Sequence, residues 1–266
     1  MAHTIYQPFD YDRFRFQALL SGGSFGNVYL AEDIYNYDMP VAIKVQRKPQ
    51  LGSRVDSRQE AEAIMHTALS AHPNIISLVG AYSTEGGIYH AMELSDGLDL
   101  HDALRRRLLV GRPGLLKRGF GQIIRALQFM HSKQYYHRDL KPENILLSAD
   151  LRSWRLCDFG LASFEDRTRA KGVGSGCYRS PECLSGDYDN GPADVWSLGV
   201  SILYAVTGRK PWGRATPEDP LYSLFLEAGP QFFLAVGDMT AEFFQFIRRL
   251  FELDPRKRIT DCDHEP

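Results

Sequence analysis

Four polar side chains, set in apolar or glycine-marked runs, stand in an order that suits one kind of chemistry. Lys44 lies inside VAIK, where a lysine is disfavoured unless its ammonium meets phosphate or carboxylate. Asp139 and Asn144 are five residues apart in HRDLKPEN, and Asp158 opens DFG after an apolar run. Upstream, Gly23 and Gly26 in LSGGSFGNV, residues 20–28, let backbone N–H groups approach a polyphosphate. No Gly-Lys-Ser/Thr follows, so this is not a Walker-type loop. Phosphoryl transfer asks for charge neutralisation and alignment more than for covalent chemistry. Asp158 and Asn144 can hold Mg2+, Lys44 can hold phosphate oxygens, and Asp139 can orient or deprotonate an incoming hydroxyl. Each residue alone has an ordinary explanation, such as a hairpin turn or an edge-strand lysine facing water. All four in this order and spacing do not.

The elements that must position these groups change character along the chain. The first ninety or so residues hold strand-like runs, FRFQALL, NVYLAED, MPVAIKVQR, NIISLVGAYS and GIYHAMEL, with one helical stretch from Ser57 to Leu69. From Gly114 onward Leu115, Leu116, Phe120, Ile123, Ile124, Leu127 and Met130 repeat at helical spacing. A buried helix through DVWSLGVSILYAVTG is stopped by Gly208 and Pro211, and AEFFQFIRRLFEL by Asp254-Pro255. With no internal repeat or low-complexity linker, these patterns predict two packed lobes joined near Ser95 to Gly97, with a ligand cleft between them.

Composition narrows the setting. The 266 residues carry 31 basic and 33 acidic side chains, a net charge of -2 that offers no overall attraction to nucleic acid or an anionic membrane. The start, MAHTIYQPFDYDRF, lacks a signal-peptide layout, and no apolar run approaches bilayer-spanning length. Cys157, Cys177, Cys183 and Cys262 lack C-x-x-C spacing, so free thiols and a cytoplasmic or nuclear location are expected.

From about Phe14 to Thr260 the chain resembles the eukaryotic protein kinase superfamily, whose signature set the handled motifs match in order. The resemblance implies an α+β, bilobal protein-kinase-like fold: a small five-stranded antiparallel N-lobe with one main helix (about residues 1–94), a hinge (about 95–98), and a larger, mainly helical C-lobe (about 99–266). It implies a signalling transferase that moves the ATP γ-phosphate to a serine or threonine of a protein, with Mg2+ as cofactor and Mn2+ as an alternative. The lysine of HRDLKPEN, Lys141, is the feature similar to the serine/threonine branch. Asp139 would be the catalytic base, with Lys141 near the γ-phosphate, Lys44 on the α- and β-phosphates, and Asn144 and Asp158 on the metal. Leu20, Gly23, Gly26, Val28, Ala42, Met92, Glu93, Ser95 and Asp99 would surround the nucleotide, Met92 behind the adenine and backbone groups from Glu93 to Ser95 along its edge. In the activation segment, Ser175 would contact the catalytic loop, Thr168 would be the regulatory phosphorylation candidate, and Glu182 of SPE would pair with Arg258.

Two glutamates, Glu60 and Glu62, compete to pair with Lys44, and the family register favours Glu62. That choice gives Glu62-x-x-x-His66 before His72-Pro73-Asn74, which is similar to fungal kinases of nutrient response and meiotic control. It also puts His66 where the family usually has an apolar side chain, with a packed histidine satisfied at one nitrogen as the simplest reading. The sequence departs from the family pattern at Ser21, in place of the loop's first glycine, and at its end, DCDHEP, where relatives commonly continue into a further helix. A binding module that keeps the fold without activity is disfavoured by the four intact residues, and a small-molecule kinase by the segment from Asp158 to Glu182. Asp99 and Glu143 match positions where relatives read basic residues upstream of the acceptor, while Tyr204 replaces a third acidic one. Cys157 is expected beside the nucleotide.

Overall fold

Side-chain alternation along the lysine-bearing strand decides what lies on each face of the first sheet. The structure, a computed structural model, describes residues 6–23, 26–48, 57–237 and 239–260, and divides into two units between Asp96 and Gly97. The first unit contains β1 (Gln7–Pro8), β2 (Phe14–Gly23), β3 (Gly26–Asp33), β4 (Met39–Arg47), α1 (Ser57–Leu69), β5 (Leu78–Ser83) and β6 (Gly87–Glu93). Val41 and Ile43 of β4 join Phe9, Phe14, Tyr82 and Ala91 in one buried cluster. The other face buries Ile88 and Ala81 with Ala63 of α1 and Tyr6. Lys44 and Gln46 alternate with the apolar β4 residues, and both bond to Glu62 of α1.

The sheet has six strands in the order β1-β5-β6-β4-β3-β2 and is mixed, which corrects the expected five-stranded antiparallel sheet. The extra strand is Gln7–Pro8, pairing parallel with Tyr82 and Ser83. Two residues are too few to show periodicity, and a proline is tolerated at a sheet edge because a missing N–H there breaks no central ladder. Tyr6 and Phe9, buried on either side of this strand, hold it in place.

The second unit contains α2 (Leu100–Arg105), α3 (Pro113–Ser132), β7 (Ile145–Leu147), β8 (Trp154–Leu156), β9 (Arg167–Thr168), β10 (Tyr188–Asp189), α4 (Asn190–Thr207), α5 (Pro220–Ala228), α6 (Phe232–Val236) and α7 (Ala241–Leu250). Its helices start and stop on recognisable caps. Asp219 accepts from the N–H groups of Leu221 and Tyr222, Thr240 from that of Phe243, and α4 ends on Gly208 in the left-handed region. Around α4 an aromatic core gathers Trp196, Trp212, Tyr222, Phe225, Phe233 and Phe251, with Trp196 and Phe251 edge-on at 5.0 Å. The short α5 and α6, unforeseen in the sequence, complete that core with Phe225, Phe232 and Phe233. Among the described residues no helix is long and apolar enough to cross a membrane.

Candidate active site

In the first unit, β2 and β3 form a hairpin whose register ends on Gly23 opposite Gly26. Gly26 has a φ of +119°, and a Cβ there would meet the Val45 carbonyl at 2.4 Å, so only glycine fits this approach. Ser21 lies within β2, exposed and opposite Val28, and the strand accommodates it without a glycine. Leu20 is exposed, Val28 half-buried and Ala42 buried; Ala42 is opposite Met92 across β4 and β6. The Glu93 N–H donates to Ser77 at 2.9 Å, so this particular donor is engaged within its own unit.

Lys44 and Glu62 are 6% and 5% exposed, with Nζ 2.8 Å from Oε1. Glu60, two residues earlier on α1, is exposed. Burial works against a charged Glu62, but a hydrogen bond from His90 and the Lys44 ammonium outweigh it and hold the carboxyl well below its ordinary range. Four residues on, His66 is buried and donates from Nε2 to the Ile76 carbonyl at 2.7 Å. Burial pushes its pKa down to about 4.

In the second unit, the segment after α3 is held from below by Asp194 of α4. Its two carboxylate oxygens accept from the backbone N–H groups of His137 and Arg138 at 2.8 and 2.7 Å, and His131 Nε2 adds a third bond at 3.0 Å. Arg138 is thereby kept at a φ of +64°, an arrangement the chain would not adopt unaided. His137 donates from Nε2 to the Cys157 carbonyl at 3.1 Å, tying this loop to the residue before Asp158. Asp158 itself has a φ of +63° and is half-buried, and Cys157 is half-buried beside it.

Asp139 is the hub of the loop. Its Oδ2 lies 2.7 Å from Lys141 Nζ, and its Oδ1 accepts from the Ser175 hydroxyl at 2.8 Å. Lys141 also donates to Ser175 at 2.8 Å, closing a triangle of carboxylate, ammonium and hydroxyl. Asn144 donates its amide to the Asp139 carbonyl at 2.8 Å, which directs its Oδ1 away from that bond as an available ligand atom. Gly174, with a φ of +90°, lets the segment carrying Ser175 pass so near Arg138 that a Cβ would meet its carbonyl at 2.5 Å.

The remaining positions separate by location. Asp99 caps α2, accepting from the Asp102 N–H at 2.7 Å, and burial raises its pKa. Glu143 has one oxygen 3.8 Å from His101 and the other buried without a hydrogen-bond partner among the described residues. Glu182 pairs in two places with Arg258, Oε2 to NH2 at 3.1 Å. Thr168, the regulatory phosphorylation candidate, is buried in β9 and donates to Asn190 at 2.7 Å. Its neighbour Arg167 is already paired with Asp187 and Asp189. Cys262 lies outside the described residues.

The clasp between Thr168 and Asn190 was not singled out in the sequence, whereas Asp194 opens DVWSLG, which resembles the family's helix that buttresses the catalytic loop. The first unit thus holds a glycine-lined hairpin and a buried lysine–carboxylate pair, and the second an Asp–Lys–Asn loop followed by Asp158.

Residues 14–264 match the family described as "Protein kinase domain". The chain belongs to the protein kinase domain family. It is 32% identical over 274 residues to a Schizosaccharomyces pombe protein described as "Negative regulator of sexual conjugation and meiosis", covering 94% of this chain and 58% of the relative. It is 30% identical over 255 residues to "CBL-interacting serine/threonine-protein kinase 10" of Arabidopsis thaliana, covering 94% and 52%. It is 31% identical over 242 residues to the human "SNF-related serine/threonine-protein kinase", covering 90% and 31%. The chain thus spans 58%, 52% and 31% of the lengths of these three relatives. Two of these three relatives are described as serine/threonine-protein kinases.

Proposed function

We propose that this chain is an ATP-dependent serine/threonine protein kinase whose two units are the two lobes of the family, joined by residues 95–98. The observation that carries this reading is the loop geometry at Asp139. One carboxylate oxygen is neutralised by Lys141 while the other accepts a hydroxyl hydrogen at 2.8 Å, the bond an acceptor serine or threonine needs when its proton is withdrawn. Lys44, aligned by its bond to Glu62, is assigned to the α- and β-phosphates, and the loop of Gly23 and Gly26 to their backbone contacts. Asn144 and Asp158 supply oxygen ligands of the kind Mg2+ or Mn2+ takes, and the bound metal would neutralise phosphate charge. The nearly neutral net charge and free thiols support a cytoplasmic or nuclear setting.

For the substrate we favour a protein with arginine or lysine upstream of the acceptor. Glu143, with a buried carboxylate oxygen lacking a described partner, supports this. Asp99 supports it less, since its capping bond would compete with substrate. Transfer of labelled phosphate from ATP to serine/threonine peptides should fall at least about 100-fold in Lys44→Met, Asp139→Asn and Asp158→Asn, with each variant still folded. Retention of more than a tenth of activity in Asp158→Asn would remove its metal role. In a peptide screen, absence of basic residues two to five positions before the acceptor would sink the substrate preference.

A further inference from the structure

The sheet face covered by α1 contains a chain of hydrogen bonds that begins outside every kinase motif. Lys44 of β4 stands directly opposite His90 of β6 in the antiparallel register, so the two side chains leave the same face. Both reach the same oxygen of Glu62, Lys44 Nζ at 2.8 Å and His90 Nδ1 at 3.5 Å. The other ring nitrogen, Nε2, is 2.8 Å from the Tyr6 hydroxyl, which itself donates to the Gln59 carbonyl at 2.8 Å.

A phenol has one proton to give. Committed to the Gln59 carbonyl, the Tyr6 oxygen can only accept from His90, so Nε2 carries a hydrogen. On the opposite side Nδ1 faces the Glu62 carboxylate at 3.5 Å. Glu62 is thus set between Lys44 and the His90 ring, whose Nε2 meets Tyr6.

We propose that Tyr6 and His90 are positioning residues for phosphoryl transfer, clamping α1 so that Glu62 holds Lys44 in place for the phosphates. The grip is on both backbone and side chain, because Gln59 and Glu62 lie three residues apart on α1 and face the same way. The hydroxyl is delivered by a fixed ring: Tyr6 stacks on His90 with centroids 5.7 Å apart and packs beside Ala63, Ala81 and Ile88. Gln46 completes the cage at 3.3 Å from the second oxygen of Glu62. The charged and titratable groups around His90 are Lys44 from β4, Glu62 and His66 from α1, and Tyr6 from the segment before β1. The short parallel strand Gln7–Pro8 then has a purpose, since it anchors the residue that pins the helix.

This inference rests on the kinase reading of Lys44, and three measurements on the whole chain separate the two. Tyr6→Phe and His90→Leu, made in wild type and in Glu62→Gln, should lower kcat/KM for ATP per folded molecule about fivefold to tenfold in wild type. In Glu62→Gln they should change it less than twofold, because the carboxylate they position is gone. An equal loss in both backgrounds would mean plain destabilisation, and no loss in wild type would mean no role; either overturns the proposal. Nitrogen-15 spectra of the histidines should show a hydrogen on His90 Nε2, and a ring without one there overturns the clamp. Amide hydrogen exchange across α1 should quicken in Tyr6→Phe, and unchanged exchange counts against it. The spectra and the exchange need no turnover, so a wild type that fails to transfer phosphate would defeat the kinase reading while the clamp is still judged.

Discussion

His66 shows how one side chain can set the acid limit of the first unit. It is buried and neutral, with burial holding its pKa near 4 while the unfolded chain titrates at an ordinary value near 6.5. As pH falls below about 6.5 the unfolded state takes up a proton that the folded state refuses, so stability is lost with falling pH until the folded value is passed. Between pH 6.5 and 5 this amounts to roughly 2 kcal/mol. In His66→Leu that component should vanish, so the denaturation midpoint should drop less between pH 7.5 and pH 5 than in wild type. At pH 7.5 the variant should be less stable by about 1 kcal/mol, because the Ile76 carbonyl loses its donor. Equal acid losses in the two proteins would show that His66 is not the titrating group. Lys44, Asp139, Asn144 and Asp158 were readable without coordinates because their chemistry tolerates few residue types and their motifs are contiguous. Tyr6 and His90 were not: their relation to Glu62 depends on which β6 residue stands opposite Lys44 and on a strand two residues long.

At the scale of elements, the β9–β10 pair controls the segment between Asp158 and Glu182. Thr168 bonds to Asn190, Asn190 donates in turn to the Glu165 carbonyl, and Arg167 ties the pair to Asp187 and Asp189. A phosphate on Thr168 would have to enter this buried position, so it can form only when the two strands part. Thr168→Val keeps the shape and removes the hydroxyl, leaving a buried acceptor on Asn190 and costing about 1–3 kcal/mol. The expected result is a lower melting temperature, with activity at 20 °C within about threefold of the dephosphorylated wild type. If that wild type were inactive until Thr168 was modified, the segment would be a switch and the clasp its closed state. The long helices were legible because apolar spacing and caps agree over many residues, as in α1, read from Ser57 to Leu69 and found there. The two-residue strands β1, β9 and β10 were not, since no periodicity exists over two residues and partners far along the chain specify them.

For the molecule as a whole, long-range ties matter most where the chain would otherwise come apart in sequence order. Arg258 is 2% exposed and, besides its two contacts with Glu182, donates to the carbonyls of Glu252 and Pro192 and lies over the Trp196 ring at 4.9 Å. One guanidinium thus joins the end of the activation segment, the start of α4, the turn after α7 and the aromatic core. A planar fork with several fixed donors can do this, and a lysine in the same place could not. Arg258→Ala leaves the Glu182 carboxylate without its partner and should cost about 3–5 kcal/mol. Much of that cost comes from the stranded charge, so adding Glu182→Gln to Arg258→Ala should recover about 1 kcal/mol or more. Chemical denaturation of the two single variants, the double variant and wild type measures this directly. Strict additivity of the two losses would show that the ion pair contributes nothing as a pair, leaving the carbonyl bonds and the contact with Trp196 as the only reason an arginine stands there.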